Sequence, residues 1–199
     1  MVELIEMDGR NARGLRTRGE IIAALLDLVR EGDISPTMQG IADRAGVSVR
    51  SIYQHFTDTE GLYKEVGEEI ISSVTDQAVD VDASAPLAAR IEHFVTGRSQ
   101  NLESLINVSR AAFLIEHNSP ALQKIRATIN GLARDRVAVS FRPELAKLNK
   151  QSANALLDAL DVWCSLAAWD HLREAGHSVA SARKVMVKGL QLLFAGSRL

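Results

Sequence analysis

Apolar residues recur along nearly the whole chain at helical spacing. Ile22, Leu25, Leu26 and Val29 fall at i, i+3, i+4 and i+7, one face of an α-helix. Thr17 followed by Glu20 reads as a capping box, which places the start of that helix near Thr17. Gly32-Asp33 ends it, and Ser35-Pro36-Thr37 offers a turn with a fresh N-cap. A short helix then carries Ile41, Ala42 and Ala45 as far as Gly46. Another, capped by Ser48, carries Ile52, Tyr53 and Phe56. Either Thr57 or Asp58 caps a fourth, running through Leu62, Val66 and Ile70 to about Val79.

The stretch from Asp80 to Pro86 is short, polar and ends in proline, so it reads as a linker. Beyond it the spacing predicts helices over Leu87–Leu105, Val108–Glu116 and Pro120–Phe141, with a break at Arg142-Pro143. Two final helices are expected over Gln151–Ala175, closed by Gly176, and Ser178–Ala195, closed by Gly196. No stretch alternates apolar and polar residues between hairpin turns. The chain is expected to be all-α, with about nine helices.

Composition narrows the class. The 199 residues are 46% hydrophobic and 24% charged, the balance of a globular protein, with no apolar run long enough to span a membrane. Met1 to Arg10 lack the basic-then-apolar order of a signal peptide, and a cytoplasmic location is expected. A lone Cys164 excludes an internal disulfide and a thiolate zinc site. The five histidines form no His-x3-His pair, and neither a phosphate-binding glycine loop nor a nucleophile elbow is present. An enzyme is not expected, nor a metal or other cofactor.

The net charge of −2 weighs against a nucleic-acid partner, yet affinity for phosphate depends on where the cations sit. Arg10, Arg13, Arg16 and Arg18 lie in one short stretch without an acid. Arg44, Arg50 and His55 lie in another, with no acid between Asp43 and Asp58. A local basic face on a mildly acidic protein is therefore compatible with the sum.

Residues 37–56 read as a helix-turn-helix. Its two helices cross closely and need a small residue there, which Ala42 supplies. Its turn needs a residue that accepts positive φ, and Gly46 does so at little steric cost. Val47 and Ile52 supply the apolar groups that lock the second helix on the first. The positions left for contact are Ser48, Val49, Arg50, Ser51 and Gln54, groups suited to phosphates and base edges. A plain helical hairpin has the same Ala and Gly at its crossing, so spacing alone leaves that alternative open.

The flanking residues make the resemblance specific. Thr37, Ile41-Ala42, Ala45-Gly46-Val47-Ser48, Tyr53, His55-Phe56 and Leu62 together resemble the TetR family of bacterial regulators, over about residues 15–66. The resemblance implies a three-helix DNA-binding domain over 17–66, a basic arm over 1–16, and a ligand-binding and dimerisation domain over 67–199. It implies Thr37 on phosphate, Tyr53 and His55 on the backbone, and Gln39 and Gln54 as further polar contacts. Arg50 is the first candidate for a base contact, with a phosphate contact as the alternative. Arg16 and Arg18, with their basic neighbours, either track phosphates or the minor groove or form a solvated tail. One position departs from the pattern: a lysine is usual near the glutamate that opens the fourth helix, and here Thr59 precedes Glu60. Lys64 lies one turn on.

The family's remaining helices bind a small molecule and form a four-helix dimer interface from the last two helices of each subunit. Leu156, Leu160, Trp163 and Ala167 give one stripe here, and Met186, Leu190 and Leu193 another. Periodicity leaves open whether they face a partner or the subunit's own core. Ligand candidates are polar or aromatic residues on apolar helix faces: His93, Phe94, Asn101, Phe113 and His117, then Asn130, Arg134, Trp163 and Trp169. The resemblance implies a repressor that leaves a palindromic DNA operator when an effector of unknown identity shifts the fourth helix. The rival reading is a helical interaction protein that keeps the fold without specific DNA binding.

Overall fold

A computed structural model describes the backbone of residues 2–76 and 84–197, and side chains of residues 12–72 and 84–197. The described residues form α1 (Val2–Arg30), α2 (Met38–Ala45), α3 (Val49–His55), α4 (Thr59–Asp76), α5 (Leu87–Glu116), α6 (Pro120–Ser140), α7 (Arg142–Leu145), α8 (Lys150–Trp163), α9 (Leu166–Glu174) and α10 (Val179–Gly196). There is no strand among them, so the all-α expectation stands.

The chain divides into two compact units. The first comprises residues 1–70 and 107–126. Its core gathers Ile21, Leu25 and Val29 from α1, Ile41 and Ala42 from α2, Ile52 from α3, and Leu62 and Val66 from α4. Val108, Ala111 and Leu122 complete it from the ends of α5 and α6. Ile22, Leu25, Leu26 and Val29, whose i, i+3, i+4, i+7 spacing predicted a buried face, all belong to this core, and Ile21 joins them.

The second unit comprises residues 71–106 and 127–199. Phe94, Phe141 and Phe194 form its aromatic centre, with ring centroids 5.2 and 5.0 Å apart in edge-on and tilted pairs. Leu160 of α8, Trp169 of α9 and Met186 and Leu190 of α10 pack around them. Trp163 lies across Gly189, where a Cβ would fall 1.9 Å from the indole Nε1. That nitrogen donates to the Met186 carbonyl at 3.2 Å, so α8 and α10 meet backbone-close at this point.

Three helix boundaries differ from the sequence expectation. α1 is continuous from Val2 rather than starting at Thr17. Gly9, Gly14 and Gly19 each weaken it by about 1 kcal/mol relative to alanine, but no proline interrupts the hydrogen-bond ladder. The region expected as an arm thus has a helical backbone; the Arg10 side chain lies outside the described residues. Likewise, the two helices expected over 87–116 are the single 30-residue α5, because Asn107-Val108-Ser109 contains no true breaker.

The helix expected over Gln151–Ala175 is instead two, α8 and α9. Ser165 caps α9, its hydroxyl accepting the Ala168 N–H at 3.1 Å. The Cys164 carbonyl accepts from Arg98 Nε at 2.9 Å. A serine able to bond the next turn and an arginine that satisfies a terminal carbonyl together favour the break. At α4, the alternatives for the cap resolve to Asp58, whose Oδ1 accepts the Gly61 N–H at 2.8 Å. The expected end at Val79 and most of the 80–86 linker lie outside the described residues.

Candidate nucleic-acid interface and effector cavity

The helix-turn-helix is built from short-range signals. Thr37 adopts an extended backbone and its Oγ1 accepts the Gly40 N–H at 3.0 Å, opening α2. Gly46 closes α2 at φ +68°, the left-handed conformation that a β-carbon disfavours. Ser48 then opens α3, with its Oγ accepting the Ser51 N–H at 3.1 Å. Ala42 and Ile52 are fully buried between the helices, with Val47 partly buried beside them. Each hydroxyl cap uses an acceptor lone pair and keeps its own proton free to donate.

That packing fixes which side chains of α3 face outward. Arg50, Tyr53 and Gln54 are exposed at i, i+3 and i+4, one continuous face. Tyr53 is 53% exposed despite being aromatic. No described residue pairs with the Arg50 guanidinium. Ser48, Thr37 and Gln39 are exposed as well, while Ser51 is half-buried. Val49 packs partly against the core, so it offers less contact surface than its place in the motif implies. Gln39 Nε2 is engaged by Asp43 at 2.7 Å on its own helix.

Two expected cations hold the domain together. Arg44 forms a bidentate pair with Glu31, at 2.9 and 2.6 Å, which holds the Glu31 carboxyl below its usual range. Arg18 binds Glu65 of α4 through Nε at 3.1 Å and Nη2 at 2.6 Å. Its Nη1 donates to the His55 carbonyl at the end of α3 at 2.8 Å, and its guanidinium carbon lies 4.7 Å over the Phe56 ring. This hydrogen-bonded pairing lowers the Glu65 pKa and raises that of Arg18. One side chain therefore ties α1, α3 and α4. His55 itself is half-buried, its ring close to α1 at Gly14. Arg16 is exposed, with no partner among the described residues. Lys64 is exposed beside Glu68 at 3.9 Å.

The ligand candidates scatter. Phe94 and Asn101 line one small cavity of the second unit, about 10 Å³, together with Arg98, Arg136 and Ser140. Trp169 is fully buried and donates from Nε1 to Glu103 at 2.9 Å. Trp163 covers Gly189, and Arg134 pairs with Asp158 and Asp161 at 2.6 and 3.5 Å. His93 and Asn130 are exposed. Phe113 and His117 belong to the first unit; Phe113 is 64% exposed, with Arg126 over its ring at 5.2 Å.

A second, more open cavity of about 400 Å³ lies among Leu87, Arg90, Glu144, Lys147, Leu148 and Phe194. Buried Arg90 is matched there by Glu144 and by the carbonyls of Ala85 and Ser140, both at 3.0 Å. Three protein partners make Arg90 a structural cation.

The sequence model of "Bacterial regulatory proteins, tetR family" matches residues 21–66, the segment from the α1 core face through α4. Over this segment the chain is similar to that family. The matched segment contains the helix-turn-helix of α2 and α3. Similar solved structures agree on the fold. A transcriptional regulator from Rhodococcus sp. Rha1 is 16% identical at a TM-score of 0.70, covering 90% of this chain and 96% of that one. A putative TetR-family regulator from Mesorhizobium loti is 18% identical at 0.69, covering 92% and 98%. The multidrug binding protein EbrR, complexed with imidazole, is 19% identical at 0.56, covering 86% and 93%. No curated protein matches the chain. No helix among the described residues is long and apolar enough to cross a membrane.

The candidate contact residues of α2 and α3 are brought together on one segment, and the ligand candidates largely are not. Arg98 and Arg136, which were not among the candidates, also line the small cavity. Arg98 had a legible signal: it falls between Val95 and Leu102 on the buried stripe of α5, where a charge is unexpected. Arg136 likewise directly precedes Val137, which is buried.

Proposed function

We propose that this protein is a ligand-responsive repressor that binds a palindromic operator as a homodimer and is released by a small effector. The observation that carries this is the outward face of α3, where Arg50, Tyr53 and Gln54 stand on a helix capped and locked from behind. A two-fold dimer would present two such helices to successive major grooves, about 34 Å apart. Arg50 reads a base edge through its guanidinium fork. Thr37, Ser48 and Tyr53 bond phosphates, and Gln39 and Gln54 supply further polar contacts. Arg16 adds a phosphate contact from α1, and Arg18 acts by holding α3 in place.

The dimer face we assign is the outer side of α8 and α10. Val162 and Leu192 are exposed there at 67% and 59%, beside small Ala155 and Ala195, with Lys184 and Lys188 on the same helix as Leu192. Exposed apolar groups next to small residues favour close helix packing. The multidrug-binding neighbour supports the search for an effector in the second unit. For release, the effector must bind the non-DNA-binding conformer more tightly.

The test is a gel shift with the DNA flanking the protein's own gene. A specific, salt-sensitive shift by a dimer, weakened in Arg50→Ala, supports the reading. Its absence across that DNA would favour a helical interaction protein.

A further inference from the structure

The break at Arg142-Pro143 turns the chain from α6 into the short α7, which sets Glu144 against Arg90 in the first turn of α5. Arg90 is also held by the carbonyls of Ala85 and Ser140, at 3.0 Å each. The pair is well shielded, with side-chain exposures of 3% for Arg90 and 15% for Glu144. Arg90 engages one carboxylate oxygen of Glu144, Oε1. The other, Oε2, is buried and has no hydrogen-bond partner, the one such side-chain atom among the described residues. A buried carboxylate oxygen is unfavourable until a donor reaches it. Glu144 also lines the cavity of about 400 Å³. That volume falls within the range of about 300–1,000 Å³ of small-molecule sites. Leu87, Leu148 and Phe194 give the cavity apolar walls, and the exposed Lys147 gives it a positive edge.

We propose that this cavity takes the effector, and that the effector is an uncharged molecule whose N–H or O–H group donates to Glu144 Oε2 from an apolar body. The last torsion of a glutamate is broad, so a modest turn of the carboxylate offers Oε2 to the cavity while Oε1 keeps Arg90. Charge selects the class. Arg90 already balances Glu144, so Lys147 leaves the cavity net positive, and a cationic ligand meets repulsion from two side chains. A carboxylate ligand brings no donor to Oε2 and sets like charges side by side. A neutral donor completes the oxygen without adding charge, and its apolar body covers Leu87, Leu148 and Phe194. Phe194 also packs on Phe141 in the aromatic centre of the second unit. A ligand against Phe194 therefore touches that core and has a means of favouring one conformer over another. This inference rests on the effector reading above and names the effector's chemical class.

The test is a thermal-shift series on the full chain at fixed ionic strength, with benzamide, acetophenone, benzoate and benzylammonium as probes. Benzamide and acetophenone share a shape and differ chiefly in the N–H donor. Benzamide at ten or more times its dissociation constant should raise Tm by about 3–6 °C, and the other three should not. Glu144→Gln keeps a carbonyl for Arg90 and puts an NH2 donor in place of Oε2, so benzamide and acetophenone should then act alike. Leu148→Trp fills the cavity and leaves the carboxylate in place, so it should abolish the benzamide rise. Equal rises with benzamide and acetophenone in the wild type overturn the proposal. So do a larger rise with benzoate or benzylammonium, and no benzamide rise at all. A benzamide rise that survives Leu148→Trp, or a preference over acetophenone that survives Glu144→Gln, also overturns it. Gel shifts with operator DNA separate the two readings. A compound that releases DNA equally from wild type and Leu148→Trp leaves the repressor reading standing and removes this one. A Glu144-dependent benzamide rise without DNA release keeps the site and removes its effector role.

Discussion

Arg18 is assigned to holding the reading head together rather than to DNA, and replacing it with glutamine tests that assignment. The variant loses the two contacts to Glu65, the bond to the His55 carbonyl and the position over Phe56. Hydrogen bonds to charged groups are worth about 1.5–3 kcal/mol when buried. Here the two side chains remain 34% and 31% exposed, so solvent screening reduces the ion pair to about 1 kcal/mol. The stacked guanidinium adds about 0.5 kcal/mol, and a cation on a terminal helix carbonyl a similar amount. Arg18→Gln should therefore destabilise the protein by about 2 kcal/mol, read as a lower urea midpoint at unchanged slope. A cycle with Glu65→Gln should return a coupling of about 1 kcal/mol. Arg16→Gln is the control: stability within about 0.5 kcal/mol, with a shallower salt dependence of DNA binding. If Arg18→Gln left stability unchanged yet weakened operator binding with a shallower salt slope, Arg18 would be a phosphate contact and the assignment would be refuted.

Further outcomes follow from single contacts. Gly189→Ala would drive a β-carbon into the Trp163 indole, so it should cost about 1–3 kcal/mol in thermal or urea unfolding and weaken dimerisation in light scattering. Cys164 is buried and its thiol is pushed up to about 12, so maleimide should label it only after denaturation. Glu65 has a folded pKa below its unfolded value. Its contribution is thus complete above the ordinary carboxylate range and lost as pH falls through the depressed value. The stability gap between wild type and Glu65→Gln should accordingly close on acidification below about pH 4.

The helix-turn-helix was legible because its determinants are local. Thr37 and Ser48 cap within three residues, Gly46 turns the chain on itself, and Ala42 and Ile52 need only the neighbouring helix. The α8–α9 break was not legible. Ser165 can sit in a helix or cap one, and part of what favours the cap is Arg98, 66 residues earlier. The role of Arg18 was hidden for the same reason, since Glu65 and His55 reach it only through the fold. Ligand candidates chosen as polar or aromatic residues on apolar faces included Phe94 and Asn101, which do line a cavity. The same criterion took in Trp169, whose polar atom is satisfied by Glu103, and Phe113, which faces solvent.

The central claim is that α3 reads DNA through Arg50. The direct measurement is fluorescence anisotropy of labelled DNA flanking the gene, comparing wild type with Arg50→Ala across salt concentrations and single-base substitutions. The account predicts specific binding that weakens by about 1–3 kcal/mol in the variant, with preference relaxed at one base pair per half-site. Equal affinity and equal base preference for the two proteins would contradict it.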